Sequence, residues 1–127
     1  CLSPTPTIFS IKHMYEYFEW AFNIIRKANK KCMVYGNWVY DPMPLDPARS
    51  NIKNRIYIDE LIHLFSNNKD IFKMNISDTN MFAINWLNKL KDRIGTIEQD
   101  NDELENLLEE LEDWKKSKKV YNLLNYA

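Results

Sequence analysis

The chain has 127 residues, 45% hydrophobic and 28% charged, the profile of one ordinary globular domain rather than of a disordered or fibrous chain. Only two glycines and five prolines punctuate it, too few for the regular turns of a many-stranded sandwich or barrel, so an all-β fold is disfavoured. The net charge of −1 conceals an uneven layout: residues 1–95 hold 13 basic and 9 acidic side chains, 96–113 hold 9 acidic and none basic, and 114–127 hold 4 basic and none acidic.

Residues 1–9, with Pro4 and Pro6 among threonines and serine, read as an extended leader. Ser10 is placed to cap a helix over 11–30, in which Ile11, Met14, Tyr15, Phe18, Phe22, Ile25 and Ala28 share one face. Tyr17, Trp20 and Ile24 lie partly round the other side, so the apolar stripe is wider than one packing seam requires and implies either a central helix or a partner. Arg26, Lys27, Lys30 and Lys31 stand at the end of this helix, where cations complement its dipole.

Two readings of the next segment stay open. Gly36-Asn37 between β-branched and aromatic residues fits a two-residue turn, giving a small β-hairpin over 32–40. Alternatively the helix continues to Met33, Gly36 supplies a left-handed C-cap, and Trp38 and Tyr40 fold back as a loop. Residues 41–52, rich in proline, form a crossing loop, and Trp38 and Tyr40 before it with Met43 and Leu45 within it either cover the core or make a docking surface.

A second helix over 53–66 places Ile58, Leu61, Ile62 and Phe65 on one face, and a short turn after Asn67-Asn68 sends Ile71 and Phe72 into the core. Ser77 or Asp78 caps a third helix, carrying Met81, Ile84, Trp86, Leu87, Leu90 and Ile94 and stopping at Gly95. Thr96 and Gln99 have the spacing of a capping box, which makes helices three and four antiparallel neighbours. The fourth helix then runs over 96–124, roughly 42 Å, with Leu104, Leu107, Leu108, Leu111, Trp114, Val120, Tyr121 and Leu124 at helical spacing. The expected fold is therefore all-α, one domain over 1–127 built as a bundle of about four helices with a long amphipathic C-terminal helix.

Chemistry is sparsely signalled. Cys1, Cys32, His13 and His63 lack the spacing of a zinc site, the acids of 98–113 read as a solvated helix face, and no glycine-rich loop exists to cradle phosphate. No metal, cofactor or catalytic residue is implied, and the expectation is a protein that is not an enzyme. No run of about 18 apolar residues occurs, so no membrane span is expected, and residues 1–9 lack the regions of a signal peptide. Two cysteines make no disulfide framework, which suggests a reducing, intracellular compartment, cytoplasm or nucleus. Cys1 is compatible with a lipid-modified terminus, although a processing boundary is the preferred reading. Fifteen asparagines, thirteen isoleucines and 13 lysines against 4 arginines match AT-rich codons, for which a viral or parasite source is the expectation.

What remains is protein binding. The leucine, tryptophan and tyrosine stripe of the fourth helix resembles about three heptads of a short coiled coil. The function expected is an interaction or scaffold module that binds a protein partner or itself through Trp114, Tyr121 and Leu124, with Trp38, Tyr40, Met43 and Leu45 as a second surface. In the self-associated form, the lysines at 115–119 face Glu109, Glu110 and Glu112 of an antiparallel neighbour. The alternative is nucleic-acid binding by Arg26, Lys27, Lys30 and Lys31, or by Lys115, Lys116, Lys118 and Lys119, opposed by the adjacent acidic run.

Overall fold

In a computed structural model, residues 2–73 and 83–118 are described. Among them the chain is mostly helical and forms no strand; its four α-helices are α1 (Met14–Lys27), α2 (Arg55–Ser66), α3 (Ala83–Arg93) and α4 (Asn101–Lys118). The helix faces follow the spacing of the apolar residues: α1 buries Met14, Phe18, Ala21 and Phe22, α2 buries Ile58, Leu61 and Phe65, and α3 buries Ala83, Trp86, Leu87 and Leu90. Their aromatics meet edge to face in one core, with ring centroids 4.8 Å apart for Phe18 and Phe65, 5.1 Å for Phe22 and Phe65, and 5.5 Å for Phe22 and Phe72. α2 packs against both α1 and α3. Arg55, at the start of α2, donates to the carbonyls of Ile94 (3.0 Å) and Asp92 (3.2 Å), which closes the end of α3.

Helix boundaries differ from the sequence expectation in instructive ways. A 3-10 turn at Ile11–His13 precedes α1, and the Ser10 hydroxyl turns back to accept from the Thr7 N–H at 2.8 Å instead of capping the helix. α1 does not reach residue 30. It ends in a Schellman closure, with Asn29 in the left-handed region at φ 52 and N–H groups of Asn29 and Lys30 on the carbonyls of Arg26 (3.0 Å) and Ile25 (3.1 Å). Asparagine thus serves as the stop, and Gly36 has no capping role.

The hairpin expected over 32–40 does not form. Residues 33–39 run extended beside the leader: the N–H groups of Tyr35, Asn37 and Val39 donate to the carbonyls of Leu2 (2.9 Å), Pro4 (3.3 Å) and Pro6 (3.1 Å), and Leu2 donates to Met33 (2.8 Å). Pro4 and Pro6 have no N–H to return, so the pairing is one-sided and only Leu2 and Val34 make a full parallel bridge. On the other side Cys32 pairs with Phe72, through Cys32 N–H to Ile71 (2.8 Å) and Lys73 N–H to Cys32 (2.9 Å). The leader is therefore a packed part of the fold.

The proline-rich crossing is a chain of 3-10 turns, Met43–Leu45, Pro47–Arg49 and Ile52–Asn54, after a cis Asp41-Pro42 bond. Asp46 and Asn51 cap two of them through their side chains. Gly95, at φ 79, stops α3 as its position implies, but the capping box does not form. Thr96 donates from Oγ1 to the Arg93 carbonyl (2.7 Å), Gln99 donates from Nε2 to Pro44 (2.9 Å), and the cap of α4 is Asp100, whose carboxylate accepts from the N–H groups of Asp102 and Glu103, both at 3.0 Å. α4 accordingly starts at Asn101 instead of 96, and it leans on the Met43–Leu45 turn more than on α3.

Candidate docking surfaces

α4 is the least buried helix. Leu104 and Leu107 are half-buried, while Leu108, Leu111 and Trp114 remain 41%, 43% and 51% exposed. Helical spacing sets Glu105 and Glu112 along one border of this stripe and Glu103 and Glu110 along the other. The helix thus presents a leucine and tryptophan ridge between two acidic rows, with exposed Lys115 and Lys116 after them. Lys118 ends the described helix, and Lys119, Tyr121 and Leu124 lie outside the described residues.

The second expected surface is partly a structural knot. Asp46 is buried; its carboxylate takes a bidentate pair of bonds from Arg93, Nε to Oδ1 at 2.9 Å and Nη2 to Oδ2 at 2.5 Å, and also accepts the Ala48 N–H at 2.9 Å. The Arg93 guanidinium lies 5.5 Å from the Trp38 ring and 5.2 Å from the Tyr40 ring, held against both π faces. Hydrogen bonding to Asp46 pushes the Arg93 pKa further up. Trp38 is half-buried and packs on the core, Leu45 is half-buried, and Tyr40 and Met43 are exposed. Of the four, only Tyr40 and Met43 present most of their surface outward.

The basic cluster at the end of α1 is both enlarged and partly occupied. The turn at Lys69–Ile71 brings Lys69 and Lys73 to it, residues without a sequence signal linking them to 26–31. Asp70 comes with them: Arg26 donates from Nη1 (2.6 Å) and Nη2 (3.2 Å) to its carboxylate and from Nη2 to Asn68 Oδ1 (2.7 Å), while Lys31 donates to its carbonyl. The hydrogen bonds from Arg26 hold the Asp70 carboxyl below its ordinary range. Lys27 and Lys30 are exposed beside this pair.

A third surface, foreshadowed only by the excess width of the α1 stripe, is its exposed flank. Tyr17, Trp20 and Ile24 are all open, Trp20 at 61%, with the Tyr17 and Trp20 rings 6.3 Å apart. Tyr17 also borders a shallow apolar groove of about 230 Å³ between the leader and α1, lined by Pro4, Pro6, His13 and Met14. Among the described residues no three His, Cys, Asp or Glu side chains converge as metal ligands, and no helix is long and apolar enough to cross a membrane. Compared with protein-family models, curated proteins and solved structures, the chain matches none, so its functional reading rests on these surfaces.

Proposed function

We propose that the chain is a non-enzymatic protein-interaction module whose primary contact element is the leucine and tryptophan ridge of α4. The observation that supports this is the half-exposure of Leu108, Leu111 and Trp114 on one face of a helix that is otherwise strongly charged. Exposed apolar side chains gathered on one face of a charged helix are stabilised when a second surface covers them. The buried free thiol of Cys32 fits an intracellular setting for that role. Sedimentation equilibrium of the full chain and of a Leu111→Ser/Trp114→Ser variant tests the reading: association of the first and loss of association in the second are expected. A wild-type chain that stays monomeric at every concentration and salt, and retains no protein partner that the variant loses, would remove it.

Nucleic-acid binding at the end of α1 is a second reading, favoured by the addition of Lys69 and Lys73 to the cluster and weakened by the engagement of Arg26 and Lys31 with Asp70.

A further inference from the structure

We propose that α4 of one copy docks antiparallel along the Tyr17, Trp20 and Ile24 flank of α1 in a second copy, its acidic rows meeting the cations gathered at the end of that helix. The proposal rests on the interaction role of α4 and names its receptor. Residues 17, 20 and 24 share one side of α1 by helical spacing, and Lys27 continues the row. This is an apolar track, open along its length, leading into a cationic end. There Arg26 and Lys31 engage Asp70, and the exposed Lys27, Lys30, Lys69 and Lys73 stand in the segments that meet at this end of the helix, the Lys69–Ile71 turn packing against α1 and Lys73 pairing through its N–H with Cys32.

Charge order fixes the partner and the direction. Residues 96–113 carry 9 acids, whereas residues 114–127 offer only 4 lysines, so pairing α4 with another α4 leaves most carboxylates facing their own kind. The cations around the end of α1 supply the missing complement. α1 itself runs from acid to base, with Glu16 and Glu19 in its first half and Arg26 and Lys27 in its last turn, and α4 runs the same way, from Asp102 and Glu103 to Lys115 and Lys116. Two such helices repel when parallel and attract when antiparallel. In the antiparallel register Glu103 and Glu105 approach Lys27 and Lys30, Leu108 and Leu111 pack against Ile24 and Trp20, and Lys115 and Lys116 approach Glu16, which borders the flank. The 14 residues of α1 and 18 of α4 span roughly 21 and 27 Å, so the α1 flank fits within the length of α4.

The test is a charge exchange between copies, read by sedimentation equilibrium at low salt. Variant one, Lys27→Glu/Lys30→Glu, reverses the receptor; variant two, Glu103→Lys/Glu105→Lys, reverses the ligand. All four positions are exposed, and circular dichroism verifies that each variant keeps its helicity. Wild type is expected to associate, each variant alone to weaken by roughly ten-fold or more, and an equimolar mixture to recover association as a mixed species, because each reversed surface then meets an opposite one. Undiminished association of variant one overturns the α1 receptor and leaves α4 pairing with α4, with the interaction role of α4 intact. A monomeric wild type overturns docking between copies, and the interaction role of α4 then stands or falls on whether a protein partner is retained by the wild type and lost by Leu111→Ser/Trp114→Ser. If the wild type is monomeric but shifts a labelled single-stranded oligonucleotide in a salt-dependent way that variant one loses, the cationic end serves nucleic acid, and docking of a second copy is overturned.

Discussion

Gly36 lies so close to the indole of Trp86 that a Cβ at residue 36 would stand 2.0 Å from Trp86 Cδ2. The same indole donates from Nε1 to the Asn37 carbonyl at 3.1 Å and meets the Phe18 ring at 6.5 Å, so one contact fastens the extended segment to α3 and the core. Gly36→Ala must displace the largest fully buried side chain among the described residues. A destabilisation of about 1–3 kcal/mol is expected, with a changed near-ultraviolet spectrum for the tryptophans. A variant that melts like wild type would show that the indole has free room to move.

Asp46 and Arg93 join the crossing loop to the end of α3, with side chains 8% and 27% exposed. Asp46→Ala strands the guanidinium and the Ala48 N–H together, at an expected cost of about 3–5 kcal/mol in urea unfolding. Arg93→Lys keeps the charge but loses the forked geometry and the stacking on Trp38 and Tyr40, and should fall between wild type and Asp46→Ala. Losses below about 1 kcal/mol for both would reduce the pair to an ordinary surface contact.

Leu111→Ala separates the roles of α4. With Leu111 43% exposed, its truncation in the monomer should change stability by less than about 1 kcal/mol, far from the roughly 2–5 kcal/mol of a core leucine. Thermal melts at a concentration where the chain is monomeric give the answer. A core-sized loss would mean that the ridge is covered within its own chain.

Cys32 is a free thiol, 2% exposed, and burial pushes its pKa up. In a Cys1→Ser background, a thiol reagent at neutral pH should label Cys32 slowly in the folded protein and promptly once urea is added. Because the unfolded thiol ionises first, the folded state loses stability as pH rises through the ordinary thiol range towards the raised folded value. Equal labelling rates with and without urea would contradict the burial.

The Arg26 and Asp70 pair gives the opposite pH dependence. Asp70 is held below its ordinary pKa, so its contribution is present above the ordinary carboxylate range and fades as pH falls through the depressed folded value. Wild type and Asp70→Asn should differ most near neutrality and converge in acid. A difference that persists unchanged at about pH 2, below the usual carboxylate range, would assign the effect to Asn68 or to the backbone contact of Lys31 instead.

Helix identity was legible in the sequence because a helix is a local object. The bonds close within four residues, and burial follows a 3.6-residue period, so Phe18 and Phe22, Ile58, Leu61 and Phe65, and Leu87 and Leu90 announced their common faces by spacing alone. Gly95 and the acid-to-base order of α4 were legible for the same reason. What joins the helices was decided elsewhere. Gly36-Asn37 carries the local signature of a hairpin, yet the core side of 32–36 needs Gly36 beneath Trp86, and the leader supplies the carbonyls that accept from Tyr35, Asn37 and Val39. Asp46 and Arg93 are 47 residues apart, and Arg26 and Asp70 are 44 apart. Nothing in the neighbourhood of either residue selects its partner. That choice follows from which donors, acceptors and apolar faces remain unsatisfied after the helices have formed, a condition set by the closure of the whole chain rather than by any window of it.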